Sequence, residues 1–453
     1  MDDSWHGSIP GKEKQQDTRL PATPLQFPRT TFHGSNCAGI PSVTLAPSHG
    51  VFDLTSMGPS SPTLPENSMG YKQTTTHKNG KGSFHQIGLV RGQFGNVPHA
   101  DWIKFIQQAG FDGYEAASWE LNLRKADTDA GAAAFAKELV DEAKAHSLEI
   151  FTVATHLQGQ ALGDEPSAKT LQFCGGDAVK AYAEWRKSGH TPPRTDPYFV
   201  PENVGKLIHD QARKDLEACV RLAGHLSKLQ NRKVALPGFV GSPAGCWNHW
   251  FLFPPLPSEI AGHKLADVRD VSLELLVERF KPVLDLCKQY GVTYDLECHP
   301  SERAMGDLES AGDYINAMVK AGYEGVVGFN LDGSHMEWQN VSVIQFIREF
   351  QNYIHCAHVK GVQVEREHCR AAVGRHQGMG HWTNGWKFVT AGAARQFASI
   401  FIELNRVGFD GAVSIEWEDN DADQLAGAKA ALANCRKADL PPSGMRHDEM
   451  LKA

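Results

Sequence analysis

Four short apolar runs in the second half of the chain end in a metal-type donor: Glu297 in YDLECHP, Asp332 in NLDGSH, His358 in HCAHVKG and Glu416 in SIEWED. Two glutamates, an aspartate and an imidazole form a mixed oxygen and nitrogen set. Such a set suits one divalent ion, Mn²⁺ by preference with Mg²⁺, Co²⁺ or Zn²⁺ as alternatives, and leaves coordination positions open. An ion on a carbonyl and its neighbouring hydroxyl acidifies the carbon-bound proton between them, because it stabilises the enediolate that forms. Glu297 and Glu416 can each take or return that proton. Use of both gives epimerisation, use of one with transfer gives aldose–ketose isomerisation, and loss of a β-substituent gives elimination. The alternative to an isomerase or epimerase is therefore a lyase or dehydratase on a keto-sugar, keto-inositol or 3-keto-glycoside.

A substrate has to be held beside such a centre. Counting by twos along the same strands puts Asp295, Asn330, Cys356 and Ser414 one layer below the donors, as groups that orient them by hydrogen bonds. One layer above come His299, Lys360 and Glu418, with His335 slightly further on, placed to touch a polyhydroxylated substrate. Glu115 and His156 end earlier runs and are expected to line the pocket opposite the donors. Trp250 sits in the aromatic stretch GCWNHWFLFPPLP, suited to stacking on a sugar ring, and Arg375 and His381 sit in RHQGMGHW, whose glycines permit close backbone approach.

The elements that must carry these residues alternate. Strands are expected at 86–90, 112–117, 148–155, 233–240, 292–297, 325–331, 354–359 and 411–417. Helices follow near 98–109, 128–146, 202–228, 272–290, 308–321, 342–350, 394–407 and 421–436. Eight βα units close most economically into a (β/α)8 TIM barrel, an α/β fold with its active site at the C-terminal ends of the strands. An open doubly wound sheet is the alternative, but no strand is followed by a phosphate-cradling glycine motif. The long connections 157–200, 241–271 and 360–393 all follow strands, where a barrel builds the walls of its pocket.

Residues 85–436 make this catalytic domain. Residues 1–84 hold 9 of the 24 prolines without sustained periodicity, so a disordered N-terminal tail is expected there, and 437–453 form a C-terminal tail. The balance of 45 basic against 53 acidic residues lacks the electropositive footprint that nucleic acid selects. The nine cysteines contain no C-x-x-C, which argues against a disulfide framework or a zinc knuckle and fits a reducing compartment. No run approaches the roughly 18 apolar residues of a membrane span. These features lead us to expect a cytoplasmic enzyme with a small carbohydrate substrate, no nucleic-acid or membrane partner, and a dimeric or tetrameric homo-oligomer.

At these residues the chain resembles the sugar isomerase and epimerase superfamily of xylose isomerase-like barrels, which also includes endonuclease IV-type and inosose dehydratase-type proteins. The likeness covers roughly 85–436. It is carried by the Glu, Asp, His, Glu order over the last four strands, by Asp332-Gly333-Ser334-His335 as the family's D-x-x-H, by Gly378 to Trp382, and by the SIEWED ending of ketose 3-epimerases. The resemblance implies that Glu297, Asp332, His358 and Glu416 bind one divalent ion, that Glu416 is both ligand and acid/base, and that His335 touches substrate. Where the epimerase branch has an arginine shortly after its metal histidine, this chain has Lys360, with Arg366 and Arg375 further on. An endonuclease-like hydrolase using extra histidine ligands, and a sugar-binding barrel without turnover, are the more distant readings.

Overall fold

The computed structural model describes residues 83–246, 257–300, 302–304, 306–364, 385–392 and 397–441. Its eight main strands are β1 (Ile87–Val90), β2 (Gly113–Ala117), β3 (Glu149–Ala154), β4 (Leu236–Gly238), β5 (Tyr294–Glu297), β6 (Val327–Asp332), β7 (Ile354–Val359) and β8 (Ala412–Ile415). They pair in parallel in the order β3-β2-β1-β8-β7-β6-β5-β4. A bridge from Thr152 to Ala235 joins the two ends, with Thr155 N–H donating to Pro237 O at 2.7 Å, so the sheet closes. The barrel expected from the alternating pattern is the fold, and the open sheet is not. Strand β4 is the shortest, three residues where eight were expected, with Pro237 at its centre unable to donate to a ladder.

The described helices are α1 (His99–Ala109), α2 (Asp129–Ala145), α3 (His156–Gly163), α4 (Ala168–Cys174), α5 (Gly176–Lys187), α6 (Glu202–Gln230), α7 (Val268–Tyr290), α8 (Leu308–Lys320), α9 (Gly333–Trp338), α10 (Val343–Glu349), α11 (Phe397–Val407) and α12 (Gln424–Ala438). Local chemistry sets their ends. Thr128, Asp307 and Asp423 accept hydrogen bonds from the first-turn amides of α2, α8 and α12. Gly110 stops α1 at φ +89°, and a Cβ there would meet nothing within 4 Å, so the backbone angle and not crowding requires glycine.

The three long connections follow β3, β4 and β7 at the C-terminal ends of the strands. The one after β3 holds α3, α4 and α5, and the one after β4 holds a short hairpin of Glu259–Ile260 with His263–Lys264. After β7, Gly361–Val364 pairs antiparallel with Trp386–Val389. That hairpin is pinned by Trp386 stacking on Trp338 of α9 at 4.5 Å, in a small cluster with Val362 and Phe388.

Two register shifts decide what faces the barrel axis. Tyr114 pairs with Ile150 but Glu115 pairs with Thr152, which makes Phe151 the extra residue of β3. Its ring fills the space over Gly88 and Gly113, where a Cβ would come within 2.7 Å and 2.4 Å of it. Phe329 pairs with Ile354 but Asn330 pairs with Cys356, so His355 is the extra residue of β7. The His355 ring would lie 2.5 Å from a Cβ at Gly328, and its Nδ1 meets Asp295 Oδ1 at 2.6 Å. Both bulges sit just before the site, and the second places Asp332 opposite His358.

The barrel is clamped where its first and last elements meet. Ser83 and Phe84, assigned to the tail by composition, are buried, and Phe84 N–H donates to Asp439 O at 3.2 Å. Asp439 accepts from His85 N–H at 2.6 Å and faces His85 Nδ1 at 2.9 Å. The rest of the expected tail, and 442–453 of the C-terminal one, lie outside the described residues. Among the described residues no helix is long and apolar enough to cross a membrane, and the seven cysteines are free and buried.

Burial pushes the Asp439 carboxyl up, but the hydrogen bonds and charge of His85 outweigh it and hold it below the usual aspartate value. A lowered folded pKa stabilises the protein above the unfolded value of about 3.9, and that contribution disappears as pH falls through the folded value. Asp439→Ala is expected to lower unfolding stability by about 3 kcal/mol at pH 7. In urea titrations the gap between wild type and variant should narrow as pH falls below about 4.

Candidate metal centre

Glu297, Asp332, His358 and Glu416 come from β5, β6, β7 and the residue after β8, and each offers one donor atom within 4.8 Å of the others. Glu297, Asp332 and His358 are almost fully buried. His156 at the start of α3 forms a second possible trio with Glu297 and His358.

Each donor is fixed from behind. Glu297 Oε2 accepts from Asn330 Nδ2 at 2.8 Å, faces His156 Nε2 at 3.0 Å, and lies 2.9 Å from His358 Nδ1. Its Oε1 has His335 Nε2 at 3.4 Å. Asp332 caps α9 by accepting from Ser334 N–H at 2.8 Å, leaving Oδ2 toward the cluster. Glu416 Oε1 accepts from Gln93 Nε2 at 2.6 Å, and its Oε2 from Lys360 Nζ at 2.7 Å. His358 Nε2 lies 3.0 Å from Glu115 Oε2, which also accepts from Thr152 Oγ1 at 2.6 Å. A carboxylate on Nε2 orients the ring so that Nδ1 faces the cluster, where an ion would take the place of the Nδ1 proton.

The electrostatics follow from burying so many carboxylates together. Burial favours a neutral Glu297, but the His358 charge and the hydrogen bonds of His156, His335 and His358 hold it well below the usual range. Burial likewise opposes charge on Glu416, and Lys360 brings it down. His358 is the mirror case: Glu115, Glu297 and Glu416 overcome burial and raise it well above an ordinary histidine. Burial and the neighbouring His335 push His299 well below that value, and burial raises Glu418 despite Lys360 beside it.

A divalent cation fits these residues. Asp332 Oδ2 and His358 Nδ1 are buried with no hydrogen bond, although both have a charged neighbour within 4 Å. Unbonded buried atoms of a carboxylate and an imidazole in one donor cluster are what a cation satisfies.

The sequence profile of xylose isomerase-like TIM barrels matches residues 103–438. The chain belongs to that family. It is 28% identical over 242 residues to the uncharacterized protein YfiH of Bacillus subtilis (strain 168), which covers 51% of this chain and 72% of YfiH. Solved structures of similar shape include the 3-keto-D-glucoside 4-epimerase YcjR from E. coli, 14% identical with a TM-score of 0.45 over 78% of this chain and 99% of that one. D-Psicose 3-epimerase from Clostridium cellulolyticum H10 is 15% identical with a TM-score of 0.44 over 78% and 99%. The probable 3-DHS dehydratase AsbF from Bacillus anthracis is 15% identical with a TM-score of 0.42 over 77% and 99%.

Within this member of the xylose isomerase-like family, the structure brings together most of the residues that the sequence pointed to. His156, His335 and Lys360 all reach the four-residue cluster, and His299 packs on His335 at a ring distance of 4.5 Å. Glu115 is placed differently from expectation. It lies behind His358 and not on a substrate wall, because the β3 bulge sets it against Thr152 and buries it to 1% exposure. Of the lower layer, Asn330 orients Glu297, whereas Asp295 is taken up by His355 and Thr293. Trp250, Arg375 and His381 lie outside the described residues, as does Gly378 to Trp382.

Three contributors escaped the sequence reading: Gln93, Thr152 and Phe388. Gln93 follows β1 on the pocket side, so its position after a strand was available as a signal. Thr152 depends on the bulge, and Phe388 comes from a hairpin strand that ordinary βα counting does not include. With His358 Nδ1 as a donor, Glu115→Gln is expected to weaken divalent-ion binding by about 10–100-fold, measured by competition with a chelating dye. Unchanged affinity would separate Glu115 from the centre.

Proposed function

We propose that the protein is a divalent-metal-dependent sugar isomerase or epimerase that abstracts a proton next to the carbonyl of a small carbohydrate. One observation carries the reading: the buried cluster of Glu297, Asp332, His358 and Glu416, in which both glutamates are held as carboxylates although burial opposes it. A bound divalent ion supplies Lewis-acid polarisation of a carbonyl and its neighbouring hydroxyl.

The chain's own residues then divide the remaining work. Asn330 and His156 fix the Glu297 carboxylate through Oε2, and Oε1, which among the described residues faces His335 Nε2 at 3.4 Å, is the oxygen we assign to accept a proton. Glu416 is the second proton-transfer group, positioned by Gln93. His335 Nδ1, Gln93 Oε1 and Asn330 Oδ1 are buried without a hydrogen bond, and the hydroxyls of a sugar are the kind of partner that satisfies such atoms. His156 and His299 offer further imidazoles beside them.

The test is incubation of Mn²⁺-loaded protein in D₂O with a panel of ketoses, keto-inositols and 3-keto-glycosides, read by NMR. Deuterium is expected at the carbon beside the carbonyl, with an isomer or epimer as product. Glu297→Gln and Glu416→Gln should each lower turnover by about 10²–10⁴-fold. Release of water or an aglycone would replace this reading with a lyase, and full activity in both variants would remove the two glutamates from the chemistry.

A further inference from the structure

We propose that Lys360 is a tethered cation that competes with the divalent ion for Asp332 and Glu416, and so sets how tightly the ion is held. The inference rests on the metal-binding reading above and adds a determinant of affinity to it. Lys360 Nζ lies 2.7 Å from Glu416 Oε2 and 3.2 Å from Asp332 Oδ2, so it shares two of the four donor groups. It also lies 3.0 Å from Glu418 Oε2 and 4.1 Å from the centre of the Phe388 ring.

The Lys360 side chain is only 2% exposed, so its charge is balanced by these carboxylates and not by water. An ammonium and a divalent ion cannot both sit against the same two oxygens without strong repulsion in so desolvated a place. Glu418 resolves the conflict. It is not in the donor cluster, its side chain is 30% exposed, and it already bonds the ammonium. Together with the Phe388 face it gives Nζ a seat of its own when Asp332 and Glu416 turn to an ion. The lysine thus prevents mutual repulsion of the carboxylates when no ion is bound, and weakens the ion's hold when one is.

The experiment measures Mn²⁺ dissociation constants, by chelator competition, for wild type, Lys360→Met, Lys360→Arg, Glu418→Gln and the Lys360→Met/Glu418→Gln double variant. Methionine keeps the length and removes the charge, so Lys360→Met is expected to bind Mn²⁺ at least about tenfold more tightly. Its chelated form should melt below chelated wild type, with Mn²⁺ closing the gap. Lys360→Arg should keep the wild-type affinity. Glu418→Gln removes the ammonium's second seat and should weaken binding, but only while Lys360 is present, so the substitution should be silent in the double variant. Equal or weaker binding by Lys360→Met overturns the proposal, as does an undiminished Glu418→Gln effect in the double variant, which would mark simple loss of charge. If neither wild type nor Lys360→Met takes up Mn²⁺, the metal-binding reading falls as well. Wild-type binding with no gain in Lys360→Met removes only the role of Lys360.

Discussion

Several carboxylates share one desolvated barrel mouth, and the rest of the site answers to that fact. Glu115, Glu297, Asp332 and Glu416 are within hydrogen-bond or ion-pair reach of one another's partners, and Glu418 stands beside them. Left alone, carboxylates so placed would take up protons, since burial and like charge both favour the neutral form. Glu297 and Glu416 instead stay well below the ordinary range, because Lys360 and His358 supply positive charge at contact distance. A barrel core that accepts this arrangement has given up the cheaper option of filling its mouth with apolar side chains, which buried ion pairs seldom outperform for stability. The arrangement keeps two buried carboxylates ionised beside the positive charge of His358 and Lys360.

The barrel supplies the precision that this needs. Parallel strands deliver one side chain each to the same level, but only if their registers agree, and two of them do not run evenly. Phe151 and His355 are each an extra residue in a strand, and room for the rings is left by Gly113 of β2 and Gly88 of β1 for Phe151 and by Gly328 of β6 for His355. The β3 bulge brings Thr152 against Glu115, which holds His358 from behind. The β7 bulge brings Asp332 level with His358. Bulges shift a strand by one residue and so reverse which side chains face the axis. Phe151, with Gly88 and Gly113, thus helps set the Glu115 support behind His358, and His355, with Gly328, the register of Asp332 against His358.

This explains what could be read from the sequence. The alternation of short β-rich runs and amphipathic helices is a property of each segment alone, so all eight strands and their crossover helices were legible, with ends displaced by a few residues. The four donors were legible because they terminate successive strands, where position and chemistry coincide. The expectation for a run's last residue then failed just where a bulge intervenes. It placed Glu115 on the substrate wall and gave no role to Thr152 or His355, because the extra residue follows from how neighbouring strands pair, which a single segment does not encode. Phe388 was hidden for a related reason, since it belongs to a hairpin added to the βα pattern. The burial of Ser83 and Phe84 against Asp439 was hidden because it joins residues more than 350 positions apart.

Under the function we propose, the same architecture separates what would fix the reaction from what would select its substrate. Glu297, Asp332, His358, Glu416 and their supports stand at or next to strand ends, where the parallel ladder fixes their positions. Groups that would meet the outer parts of a substrate come from the three long connections, which can vary in length without altering any strand register. His335, Lys360 and Phe388 stand at the boundary between the two. His335 packs against Phe388 and lies within ion-pair distance of Glu297 and Asp332, while Lys360 lies over the Phe388 ring and reaches Asp332 and Glu416. A change in the hairpin that carries Phe388 would therefore reach the charge balance of Glu297, Asp332 and Glu416 through His335 and Lys360, so under the function we propose the substrate wall and the electrostatics of proton transfer are joined.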